Sequence, residues 1–66
     1  MTITVNGAKQ TVPEATTVTA LLVTLGYGEK KVAVAVNEAF LPRSRHAETV
    51  LQDGDAVEIV APMPGG

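Results

Sequence analysis

Polar and apolar residues alternate from the start of the chain, Thr2-Ile3-Thr4-Val5, and Gln10-Thr11-Val12 can mirror that pattern after a short break. A period of two puts successive side chains on opposite faces of a strand, so Ile3, Val5 and Val12 are expected to face one core. Asn6-Gly7 lies between the two runs. A type I′ turn needs positive φ at both central residues, which Asn tolerates and Gly accepts without strain. The opening therefore predicts a β-hairpin, and Pro13, which has no N–H to donate, helps to end its second strand.

The period then changes. Val18, Leu21, Leu22 and Leu25 fall at i, i+3, i+4 and i+7, the single apolar stripe of a helix. Thr16 or Thr17 can cap its first turn through the hydroxyl, and Gly26 or Gly28 can supply the left-handed residue that commonly stops a helix. Threonines at 16, 17 and 19 are poor helix formers, so this helix is expected to depend on a sheet beneath it. Val32 to Val36 is short, alternates Val with Ala and is rich in β-branched residues, which predicts a strand with valines packed on one face. Phe40-Leu41-Pro42 follows, then a polar stretch from Arg43 to Glu48 with room for a short helical turn. Asp53-Gly54-Asp55 reads as a turn, its carboxylates engaged with nearby backbone rather than with a metal or in acid–base work. Val57, Ile59 and Ala61 predict a last alternating strand. Strand, strand, helix, strand, irregular crossing and strand assemble most economically as an α+β domain, a mixed sheet with one helix across one face. Residues 1–61 form that domain, and 62–66 are expected to be a flexible, extended tail.

Composition narrows the chemistry. Sixty-six residues allow one core, and with no cysteine and one histidine that core must hold by apolar packing, for which a 45% hydrophobic content suffices. The sequence offers no disulfide, no thiolate-bound cluster and no cysteine nucleophile, and His46 alone cannot make a zinc site. A formal charge of −2 speaks against nucleic acid as a partner. With no basic and apolar leader and no long apolar run, the expectation is a soluble cytoplasmic protein without a membrane partner. Lys30-Lys31 and Arg43-x-Arg45 are read mainly as solvated surface, with Arg43 and Arg45 also candidates for steering a partner. Phe40 is expected to pack in the core or at its rim, with a partner-contacting patch as the alternative. His46 is expected at the surface.

The end of the chain is distinctive. Pro62-Met63-Pro64-Gly65-Gly66 cannot add neatly to a sheet, because each proline lacks an N–H and drives its predecessor toward extended backbone. Five extended residues reach about 16–18 Å. Together with Val34-Ala35-Val36-Asn37, Leu41-Pro42-Arg43 and Leu51-x-Asp53-Gly54-Asp55-x-Val57-Glu58-Ile59-Val60, the terminal Gly65-Gly66 resembles the ubiquitin-like β-grasp fold, and within it the ThiS family of sulfur carriers in thiamine thiazole synthesis. The resemblance covers essentially the whole chain. Two positions depart from the family pattern: His46 stands where a tryptophan is usual, and Pro64 stiffens the approach to the two glycines.

The resemblance implies a four- to five-stranded mixed sheet and a protein that is not an enzyme but a co-substrate. The Gly66 carboxylate would be adenylated by a ubiquitin-activating-type (ThiF-like) adenylyltransferase using ATP and magnesium. It would then be converted to a thiocarboxylate by a cysteine desulfurase or other persulfide donor. Thiazole synthase (ThiG-like) would take the sulfur. Gly65 would give access to the terminal carbonyl, and the carrier would bind no cofactor of its own. Phe40, Arg43, Arg45 and Met63 are the candidate partner contacts. The alternatives are a MoaD-like small subunit of molybdopterin synthase, which shares the thiocarboxylate, and a non-catalytic ubiquitin-like binding module with an inert tail.

Overall fold

The computed structural model describes residues 1–28 and 30–61. Five strands form one mixed sheet: β1 (Thr2–Val5), β2 (Ala8–Thr11), β3 (Ala33–Val36), β4 (Ala39–Leu41) and β5 (Ala56–Val60), in the order β2-β1-β5-β3-β4. A single helix, α1 (Val18–Thr24), joins the first hairpin to β3, and a 3₁₀ turn covers Arg43–Arg45.

The first hairpin closes through a two-residue turn, with Val5 opposite Ala8. Asn6 at φ 50° and Gly7 at φ 85° adopt the positive values that the sequence predicts there. Ile3 and Val5 point into the core. Val12 lies one residue beyond β2 yet is buried, held by its N–H to the Met1 carbonyl at 2.9 Å and by the Met1 ammonium to its own carbonyl at 2.8 Å. The observed β2 thus starts earlier than the apolar pattern suggests and stops before Val12.

Helix α1 is only seven residues long, too short to persist alone. Val18, Leu21 and Leu22 of the predicted stripe are buried and Leu25 is half-buried. Thr17, not Thr16, is the cap: its Oγ1 accepts the Ala20 N–H at 3.1 Å. At the other end Gly26, not Gly28, takes the left-handed conformation (φ 89°). The Gly26 N–H donates to the Val23 carbonyl and the Tyr27 N–H to the Leu22 carbonyl, the paired bonds of a Schellman motif.

A second hairpin was not legible as such in the sequence. Asn37 (φ 51°) and Glu38 (φ 69°) turn the chain from β3 into β4, placing Val36 opposite Ala39 and Ala35 opposite Phe40. No glycine marks the turn, and a glutamate at positive φ carries a steric cost that gives no sequence signal. Phe40 is consequently not a core residue. It is 71% exposed on the open face of the sheet, beside Ala35, while Val34 on the other face is buried. The last strand also ends one residue before the predicted alternation. Val57 and Ile59 are buried as expected, but Ala61 is exposed beyond Val60.

The expectation of a surface His46 is overturned. Its residue exposure is 7%, and its Nε2 lies 3.1 Å from the Leu41 carbonyl. A carbonyl only accepts, so Nε2 carries the proton. The His46 backbone works as well: its N–H donates to the Arg43 carbonyl, and its own carbonyl accepts the Thr19 N–H at 3.2 Å. With the Thr49 carbonyl accepting the Val18 N–H at 3.0 Å, the polar crossing satisfies two of the free N–H groups at the start of α1. The sequence missed this because an imidazole in a polar stretch looks solvated, whereas its partners lie on β4 and α1.

Two substitutions test this packing. Leu21, 1% exposed, should cost about 2–5 kcal/mol when cut to Ala, read as a lowered denaturation midpoint. His46→Ala should cost about 1–3 kcal/mol, because it strips the Leu41 carbonyl of its partner. Neutral behaviour of either variant in urea melts would refute the corresponding assignment.

Candidate functional site

The chain leaves the sheet from its central strand. β5 runs parallel to β1, with Thr4 opposite Ala56 and Val5 opposite Val57, and antiparallel to β3, with Ala33 opposite Val60. Its first two residues are flanked on both sides, and beyond Val57 β3 alone pairs with it through Val60. Two asparagine side chains tighten it further. Asn6 Oδ1 accepts the Ile59 N–H at 2.8 Å and its Nδ2 donates to the Ile59 carbonyl at 3.2 Å. Asn37 Oδ1 accepts the Ala56 N–H at 2.9 Å, and its Nδ2 donates to Asp55 Oδ1 at 2.9 Å. Both asparagines sit in the hairpin turns, so the same residues supply positive φ and hold the last strand.

The Asp53-Gly54-Asp55 turn launches β5 and does structural work. Asp53 Oδ1 accepts the Thr2 N–H and Asp55 Oδ2 accepts the Gln52 N–H, each at 2.8 Å. These bonds to backbone N–H groups are the role that the sequence suggests for the two aspartates. No helix among the described residues is long and apolar enough to cross a membrane.

The candidate site residues divide by location. Gly65, Gly66 and Met63, like the predicted tail 62–66 as a whole, lie outside the described residues. What the structure positions is the root of that tail, Val60 and Ala61, at the end of the sheet where Val60 meets Ala33. Phe40 lies on the open sheet face, on which Val60 is also exposed; Ala33 and Ala35 of β3 separate the two strands that carry them. Arg43 and Arg45 are both exposed but are not equivalent. Arg45 Nε pairs with Glu48 Oε1 at 2.6 Å, while Arg43 lines a pocket with Thr19, Lys30 and His46. The sequence named the arginines but not that pocket, whose walls come from three separate stretches.

Comparison with known proteins supports one family. The ThiS family model matches residues 1–66, the terminal glycines included. A crystal structure of a thiamine biosynthesis protein (ThiS) from Geobacter metallireducens is 40% identical, with full coverage of both chains and a TM-score of 0.84. An NMR solution structure of a thiamine biosynthesis protein from the same organism is also 40% identical, over all of this chain and 88% of that one, with a TM-score of 0.81. A thiazole synthase of Paramagnetospirillum magneticum is 41% identical over 66 residues, all of this chain. The chain spans about 20% of the length of the curated relatives it matches. A five-stranded mixed sheet with one α-helix among the described residues, built around a central β5, is thus the β-grasp of a known group: the chain belongs to the ThiS family.

Proposed function

We propose that this chain carries sulfur as a thiocarboxylate on Gly66 for the thiazole ring of thiamine. The observation that carries this reading is the family match over residues 1–66, which includes Gly65 and Gly66 beyond the central strand β5. The thiamine and thiazole names of the relatives favour thiazole synthase over molybdopterin synthase as the sulfur acceptor.

The chemistry is economical. The Gly66 carboxylate attacks the α-phosphorus of magnesium-bound ATP on a ThiF-like adenylyltransferase, giving an acyl adenylate and pyrophosphate. The terminal sulfur of a persulfide on a cysteine desulfurase or comparable donor attacks the acyl carbon and expels AMP, forming an acyl disulfide. A second thiol cleaves the S–S bond, is itself oxidised to a disulfide, and releases the thiocarboxylate. Sulfur at that position is far more nucleophilic than the oxygen it replaces, as a thiolate is. Without Cβ atoms, Gly65 and Gly66 can follow a narrow channel with φ/ψ values that other residues avoid, leaving the carbonyl open to attack. The chain is a co-substrate in this scheme, holds no cofactor, and works where ATP and reduced thiols are found, in the cytoplasm.

The test is direct. Incubation with ATP, magnesium, an adenylyltransferase and a persulfide donor should replace one oxygen of Gly66 by sulfur, seen by intact-protein mass spectrometry and placed on the last residue by fragmentation. Deleting Gly66 should abolish the exchange while the thermal transition persists, and Gly65→Val should slow it. An unmodified mass in the presence of an adenylyltransferase proven active on another carrier would refute the proposal.

A further inference from the structure

The pocket beside Arg43 has a volume of about 170 Å³. Leu22 and Val32 contribute apolar lining, and Thr19, Lys30, Arg43 and His46 contribute polar groups. Its position follows from the sheet. Leu41, the last residue of β4, pairs with Val34, so Arg43 emerges at the same end at which β3 begins after Lys30-Lys31-Val32. Val60 pairs with Ala33 at that end too. The pocket and the root of the tail therefore share one end of the molecule.

Its electrostatics are one-sided. Among the described residues the one ion pair is Arg45 with Glu48, so neither Lys30 nor Arg43 is matched by a described carboxylate. His46 Nε2 is committed to the Leu41 carbonyl, and no described residue bonds Nδ1. No sealed polar side-chain atom lacks a partner among the described residues, so Nδ1 must reach open space. Two cations and a hydroxyl thus line a space backed by aliphatic side chains. Donors so arranged form charge-assisted bonds with an oxyanion, and the guanidinium fork matches a planar carboxylate in particular.

We propose that this pocket is a socket for a carboxylate side chain of the protein that takes up the tail. This rests on the carrier reading: a partner that holds Gly66 is tethered within about 16–18 Å of the end of the sheet that also carries Lys30 and Arg43. An aspartate or glutamate seated there would fix the carrier's orientation through its bonds to Lys30 and Arg43. Arg45, neutralised by Glu48, contributes to encounter rather than to the seat.

Two measurements on the 66-residue chain decide the matter. In NMR titrations with acetate and with inorganic phosphate, amide shifts should saturate around Thr19, Gly28, Lys30 and Arg43. Arg43→Gln should remove that response, and Arg45→Gln should leave it. Absence of a saturable response, or its persistence in Arg43→Gln, overturns the socket without touching the carrier reading. In adenylation assays, Lys30→Gln with Arg43→Gln should raise the KM for the carrier about tenfold or more at unchanged kcat, with Arg45→Gln changing it less than twofold. Anion binding with an unaltered KM overturns the partner carboxylate as occupant. If wild-type chain is not adenylated at all, the carrier reading falls, and the docking proposal that rests on it falls too, while the titrations still report whether an anion site exists.

Discussion

The two asparagine clamps on β5 are the interaction on which the rest of this small domain depends. The parallel pairing of β1 with β5 is the contact that closes the fold, and it joins residues more than fifty positions apart. Both hairpins can form locally, but this pairing must repay the closure of nearly the entire chain. Only two residue pairs make up its register. Asn6, past the end of β1, adds a further step by offering a side-chain amide to the N–H and carbonyl of Ile59, as a backbone would. Asn37 does the corresponding work at the opposite end, on Ala56. At about 0.5–1.5 kcal/mol net per hydrogen bond, such contacts matter in a domain whose whole stability is of the order of 5–15 kcal/mol.

The helix depends on a different support. Seven residues with three β-branched positions after Val18 and no charged residue in the first turn would not hold as a helix in water. Its start is secured by Thr17 and by carbonyls of the polar crossing, and its end by the Schellman bonds around Gly26. His46 links these supports. One residue ties the end of β4, through Leu41, to the second residue of α1, through Thr19, across the edge of the core. A buried imidazole bonded in this way is a structural strut.

How far the sequence could be read follows from where each residue finds its partners. Asn6-Gly7, the stripe Val18-Leu21-Leu22-Leu25, the valines of β3 and the Asp-Gly-Asp turn declare themselves because their determinants lie within a few residues. The Asn37-Glu38 turn hides because a glutamate at positive φ contradicts local preference and is imposed by pairing on both sides of it. His46 and Phe40 were misplaced for opposite reasons. A polar neighbourhood disguised a buried imidazole, and an apolar ring suggested burial where the pleat of a three-residue strand turned it outward. Of the candidate site, the terminal glycines could be picked out from sequence, whereas the pocket could not, since its lining spans α1, the approach to β3 and the turn after β4.

Sheet order also bears on the proposed chemistry. A carrier that passes its tail from an activating enzyme to an acceptor needs a tail that adapts and a root that does not. Had the tail left from β2 or β4, the edge strands, drawing on it would load a single ladder of hydrogen bonds and could peel the strand away. Leaving from β5, it follows a strand paired with β1 at Ala56 and Val57, with β3 from Val57 to Val60, and held at Ala56 and Ile59 by the two asparagines. Val57 and Ile59 are also buried, each such side chain contributing about 1.5–3 kcal/mol, so peeling β5 away would mean dismantling the core. On the proposed carrier reading, the domain's part would be to present the tail from a firmly paired strand.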